Sequence, residues 1–120
     1  MPSVLIADDA AFMRMMLKNV LTEAGYEIVG EAENGAVAVA KHRELKPDLT
    51  TMDITMPQMD GIECISKLVE LKPAVRILVI SALADKATAV EAMEKGANGF
   101  LNKPFTDRQL NEAIADLIRE

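Results

Sequence analysis

Leu49-Thr50-Thr51-Met52-Asp53-Ile54-Thr55-Met56-Pro57-Gln58-Met59-Asp60-Gly61 is the stretch on which the fold of this sequence turns. It starts as an apolar, threonine-rich run with the character of a buried strand. It breaks at Met56-Pro57, because proline fixes its own φ and drives the residue before it out of the helical region. Asp53 therefore falls at the carboxyl end of a strand, where open α/β sheets place their ligands. A carboxylate there costs free energy unless it is paired or bound to a metal.

The neighbouring apolar runs end in a similar way. Ser3 to Ala7 reads as a parallel strand buried on both faces and stops at Asp8-Asp9. Tyr26 to Glu31 reads as a second strand, Arg76 to Ile80 as one that ends at Ser81, and Gly99 to Asn102 as a last one before Lys103-Pro104. Between the strands the apolar period becomes helical. A first helix carries Met13, Leu17, Val20, Leu21 and Ala24 and is closed by Gly25. A second is opened by Asn34-Gly35, carries Ala38, Val39 and Leu45, and ends at Pro47-Asp48. A third runs from Gly61 to about Leu71 with Cys64, Ile65 and Leu68 inward, and an Ala- and Glu-rich fourth, capped by Asp85 and closed by Gly96, carries Val90 and Met93. Thr106 and Gln109 form a capping box for a fifth, whose Leu110, Ala113, Ile114, Leu117 and Ile118 face inward. Five strand-helix alternations mean a parallel sheet covered on both faces, with right-handed crossovers.

Phe12 and Met15 fall off the stripe of the first helix and read either as rim packing or as an exposed patch for a docking partner. His42 lies at the edge of its stripe with no cysteine or second histidine nearby, so it is expected to pack at the rim and not to ligate a metal. Cys64 has no local basic partner to lower its pKa and reads as a small packed hydrophobe.

A length of 120 residues fits one domain, 1–120, with a core of its own. The chain is 50% hydrophobic but 3% aromatic, so that core is built of Ala, Val, Ile, Leu and Met. A single cysteine rules out an intrachain disulfide and suits a reducing cytosol. There is no signal-peptide pattern, and no apolar run approaches the roughly 20 residues that span a bilayer. A soluble, cytoplasmic protein is expected, with no membrane partner and a monomer as the default state. A net charge of -6 argues against gripping a nucleic-acid backbone, which needs a clustered basic face.

If the strands are parallel neighbours, Asp8, Asp9, Asp53, Ser81 and Lys103 meet on one rim. Like charges about 4 Å apart interact by roughly 4 kcal/mol at an effective dielectric near 20, so the acids are hard to explain without a cation. Carboxylate oxygens suit a hard divalent ion. With magnesium bound, Asp53 has the character of a nucleophile toward a phosphoryl group, Lys103 supplies a compensating ammonium, and Ser81 is placed to donate to a phosphoryl oxygen.

Asp8-Asp9, MDITMPQMDG around Asp53, Ser81-Ala82, KGANGF and NKPF, in this order and across the whole chain, resemble the receiver domain of two-component response regulators. DDAAFMRMML makes the chain most similar to stand-alone chemotaxis regulators of the CheY type. The resemblance implies a flavodoxin-like, doubly wound sheet of five parallel strands in the order 2-1-3-4-5. It implies that Asp53 accepts a phosphoryl group from a phosphohistidine of a sensor histidine kinase, or from a small donor such as acetyl phosphate. The implied direct Mg2+ ligands are Asp9, Asp53 and the backbone carbonyl of Thr55, with Asp8 acting largely through water and Mn2+ able to substitute. Ser81 and Lys103 match the phosphoryl-binding hydroxyl and ammonium, Pro104 a cis bond to Lys103, and Phe100 the aromatic whose rotamer follows Ser81. The implied partners are the kinase, a flagellar motor switch or other output protein, and a phosphatase. The implied role is a switch and not a turnover enzyme. Phe100 stands where a tyrosine is frequent, and Leu83 where a polar side chain often borders the water path. With Thr55 and Leu83 flanking that path, slow loss of the phosphoryl group is expected.

Other classes compete. A magnesium phosphatase with an aspartyl-phosphate intermediate, resembling haloacid dehalogenases, would carry a second aspartate where Thr55 stands. A flavin-binding protein of the same fold would need a first loop that cradles phosphate, whereas Asp8-Asp9-Ala10 repels it. A receiver cut from a longer regulator with its own output domain is the alternative at the level of chain organisation, and the length of the reading frame decides it.

Overall fold

The structure is a computed structural model that describes residues 2–53, 61–71, 74–81 and 86–119. Strands β1 (Ser3–Ala7), β2 (Glu27–Ala32), β3 (Leu49–Met52), β4 (Arg76–Ser81) and β5 (Gly99–Asn102) alternate with helices α1 (Ala11–Glu23), α2 (Gly35–Leu45), α3 (Gly61–Leu71), α4 (Lys86–Glu94) and α5 (Asp107–Arg119). The strands pair in parallel in the order β2-β1-β3-β4-β5, the doubly wound arrangement expected. The second strand starts one residue later than its sequence suggests, because the Tyr26 N–H is used by α1. It donates to the Leu21 carbonyl at 3.0 Å while the Gly25 N–H donates to Thr22. That pair of bonds is a Schellman cap, and Gly25 supplies its positive φ of 96°.

β3 is central and wholly buried, and its alternate residues feed two cores. On one face Val4, Ile6, Leu49, Leu78 and Ile80 meet Leu17 and Leu21 of α1 and Leu110, Ile114 and Leu117 of α5. On the other, Ala7, Met52, Ile77 and Val79 meet Ala38 of α2, Cys64, Ile65 and Leu68 of α3, and Ala92 of α4. Burial on both faces is why the strands read as unbroken apolar runs. The threonines of β3 suit a pleated strand through their branched Cβ, but their hydroxyls find no partner among the described residues. Thr51 sits in register between Ile6 and Leu78. Because a buried unsatisfied hydroxyl costs about 1 kcal/mol or more, Thr51→Val should raise stability by about that amount, read as a higher urea midpoint at unchanged slope. A lower midpoint would mean that the hydroxyl is satisfied after all.

Local signals hold at the helix ends. Asn34 caps α2 by accepting from the Val37 N–H at 2.9 Å. Thr106 and Gln109 exchange bonds at 2.8 and 3.1 Å in the capping box of α5. Asp85 lies outside the described residues.

Several side chains point otherwise than their spacing suggests. Ala24 is exposed because it is the C-cap of α1 and no longer follows the helical stripe. In α2 the buried face is Gly35, Ala38 and His42, spaced three and four apart, so His42 is inside at 1% exposure and Leu45 turns outward at 37%. The histidine is thus a core residue and not a rim residue. Val90 and Met93 are exposed, and small Ala92 is the buried contact among the described side chains of α4. Cys64 is fully buried, its thiol directed at the Gly35 carbonyl 3.7 Å away. Phe12 and Met15 are exposed, at 70% and 54%, and are not packed at the rim.

Candidate functional site

The sheet itself brings the rim residues together. β1 and β3 are neighbours with Ala7 level with Met52, so the next residue on each, Asp8 and Asp53, leaves the sheet side by side. Each backbone N–H adds one rung beyond its strand: Asp53 donates to the Ala7 carbonyl at 2.9 Å and Asp8 to the Ala32 carbonyl at 3.0 Å. Lys103 does the same on the far side, donating to the Ser81 carbonyl at 2.9 Å. Ser81, fully buried, is level with Asn102.

Asp8 and Asp53 are buried and Asp9 is exposed, and carboxylate oxygens of all three lie within 4.8 Å of one another. This is the group among the described residues able to hold a metal ion, and His42 is not part of it. Asp8 accepts from the Ala10 N–H at 2.9 Å through one oxygen and from the Lys103 ammonium at 3.1 Å through the other. The same ammonium is 3.8 Å from Asp53. Burial pushes the Asp8 carboxyl up from its usual 3.8, and the Asp53 charge adds to the rise. The Ala10 N–H and Lys103 pull against it without cancelling it. A trio of hard oxygen donors, two of them buried, with one ammonium to offset it fits Mg2+ by its chemistry, since thiolate and imidazole, the ligands of softer metals, are absent from the group.

Phe100 of β5 is level with Val79 and half-buried against the α2, α3 and α4 core. The Lys103–Pro104 peptide is cis. Thr55 and Leu83 lie outside the described residues. One residue at the rim escaped the sequence reading. Arg14 donates from its guanidinium to the Asp8 carbonyl at 2.7 Å, and its Nε is 3.5 Å from a Glu31 oxygen. Its only signal in the sequence is a cation in the first turn after two aspartates.

Residues 4–115 match the family model described as the response regulator receiver domain. The chain belongs to that family. This receiver is 53% identical over 111 residues to chemotaxis protein CheY of Thermotoga maritima, covering 92% of each chain. It is 49% identical to chemotaxis protein CheY of Bacillus subtilis, again over 92% of each. Among solved structures it aligns with the CheX-CheY-BeF3-Mg2+ complex of Borrelia burgdorferi at a TM-score of 0.94 and 34% identity, covering 97% of this chain and 88% of that one. Vibrio cholerae CheY4 aligns at a TM-score of 0.91 and 29% identity, over 98% of both chains. The chain is therefore a CheY-type receiver of two-component signalling. Receiver domains bind Mg2+ at an acidic pocket, which this chain forms from Asp8, Asp9 and Asp53.

Proposed function

We propose that this receiver is a phosphorylation-dependent switch of a cytoplasmic chemotaxis pathway, with Asp53 accepting a phosphoryl group from a sensor histidine kinase. The observation that carries this reading is the buried Asp53 carboxylate set 3.8 Å from the Lys103 ammonium and beside Asp8 and Asp9. An Asp53 oxygen attacks the phosphorus as the bond from phosphorus to the imidazole nitrogen breaks. The carboxylate becomes an acyl phosphate and the histidine departs with the electron pair. Asp8, Asp9, Asp53 and the Thr55 carbonyl would hold Mg2+, or Mn2+ in its place, which would supply the positive charge that lets two anions approach.

Lys103 already faces the Asp53 carboxylate, so a short movement brings it to a phosphoryl oxygen, and Ser81 donates to a second oxygen from the next strand. Moving Ser81 opens space that Phe100 follows from a half-buried starting position, carrying the change to α4, β5 and α5. The exposed Phe12 and Met15 on the first turns of α1 stand beside the rim as a docking patch for the domain that carries the phosphohistidine. The Borrelia relative was solved with BeF3, Mg2+ and the partner CheX, which supports reading the phosphorylated form as the one a motor switch, other output protein or phosphatase recognises. The receiver handles its own phosphoryl group and turns over no separate substrate.

Amide spectra with Mg2+ alone and with Mg2+ plus beryllofluoride test the switch. Beryllofluoride is expected to shift Ser81 and the segment from residue 86 to residue 110. Shifts confined to α1 would overturn the proposed route of the signal.

A further inference from the structure

The three acids of the pocket are not held alike. Asp8 and Asp53 are buried and continue the strand ladders, whereas Asp9 is exposed and, among the described residues, no hydrogen bond reaches its carboxylate. Its direction follows from the backbone just before it. The Asp8 carbonyl and the Asp9 N–H belong to one planar peptide, so fixing that carbonyl restricts where the Asp9 side chain points.

Arg14 is the group that fixes it. Its guanidinium donates to the Asp8 carbonyl at 2.7 Å, a short charge-assisted bond, while its own backbone N–H donates to the Ala10 carbonyl at 3.0 Å. The residue thus ties both ends of the loop from β1 to α1. With the acidic pocket so near, a guanidinium would ordinarily fork onto a carboxylate there and displace a cation. Here the competing anion is Glu31 on β2, 3.5 Å from Nε. Glu31 is itself anchored, its carbonyl accepting from Lys41 at 2.5 Å and its carboxylate lying 3.9 Å from Lys18. The Arg14 side chain is 18% exposed, so water competes weakly for the bond.

We propose that Arg14 is a positioning residue for the cation pocket: by holding the Asp8 carbonyl it locks the peptide between residues 8 and 9 and presents the Asp9 carboxylate to the ion shared with Asp53. The inference rests on Asp8, Asp9 and Asp53 being the ion's donors. Residues behind metal ligands change affinity by about 10-fold to 100-fold when lost, and an exposed ligand held by a single plane belongs at the lower end.

Calorimetric titration with Mg2+ of the intact chain tests this, alongside Arg14→Met, Arg14→Lys and Asp9→Asn, with metal-free urea midpoints measured in parallel. Arg14→Met is expected to weaken Mg2+ binding by roughly 10-fold. Arg14→Lys, which keeps one donor but not the bridge to Glu31, should recover part of the loss. A purely structural arginine would lower the metal-free midpoint and leave the Mg2+ affinity of the folded protein alone. If Arg14→Met does not fold, the Lys variant carries the test, with a loss of several-fold expected. Wild-type affinity in the folded arginine variants, with Asp9→Asn weakened, overturns the role of Arg14 and leaves the donor set standing. Wild-type affinity in Asp9→Asn overturns the donor set, and the Arg14 role with it.

Discussion

Asp53→Asn is expected to lower phosphoryl uptake from acetyl phosphate by at least ~1,000-fold, the loss of roughly 4 kcal/mol of barrier lowering. The substitution is nearly isosteric and leaves the rung from residue 53 to Ala7 in place, so the pocket keeps its shape and loses the nucleophile proposed for it. The same change removes one of three crowded charges. The Asp53 charge is among the causes that raise the Asp8 carboxyl, so the metal-free variant should be more stable than wild type even as it loses its chemistry. Phosphoprotein separated by phosphate-affinity electrophoresis measures the first effect, and thermal melting in chelator the second. Uptake at the wild-type rate would place the phosphoryl group on another residue.

Lys103→Met should lower metal-free stability by about 2–3 kcal/mol near pH 7, somewhat below the usual 3–5 for breaking a buried pair, because the ammonium is partly exposed. Two buried carboxylates lose a cation that is 3.1 Å from Asp8 and 3.8 Å from Asp53. The sign of the pH dependence follows from Asp8. Its folded pKa already lies above the usual 3.8, so the folded chain binds a proton there more tightly than the unfolded chain, and the ionised carboxylate lowers stability. Removing the ammonium, which pulls that pKa down, widens the gap. The deficit of the variant should therefore be full above the raised pKa and shrink as pH falls through it toward 3.8. Adding Asp8→Asn should recover most of the loss at neutral pH. Urea midpoints followed from about pH 7 down to about pH 4 decide the matter, since a deficit that stays constant over that range, or strict additivity in the double variant, would mean that the two side chains do not interact.

What the sequence made legible was what short-range rules control. Gly25 closes α1 and Thr106 with Gln109 opens α5, each through geometry contained within a few residues, while the break expected at Met56-Pro57 lies outside the described residues. Asp8, Asp53, Ser81 and Lys103 followed because each ends an apolar run, and parallel strands deliver their carboxyl ends to the same edge. Alternation alone did not supply the strand order, which came from the resemblance. The rotation of α2 was not legible, because its buried face begins with Gly35 and Ala38, which carry little apolar signal, and Leu45 outweighed His42 in the pattern. Arg14 was missed for a different reason. Its partners lie apart in the sequence, Asp8 just beyond β1 and Glu31 on β2, and no periodicity joins them.

The backbone N–H groups of Asp8, Asp53 and Lys103 are rungs of the sheet, so the charged end of the molecule can loosen only when the central ladder opens. The acidic pocket is thus anchored through the backbone of the sheet itself. If Asp53 takes up a phosphoryl group as proposed, a pocket so anchored would deform little, and the added charge would act instead by drawing the side chains of Lys103 and Ser81 toward it.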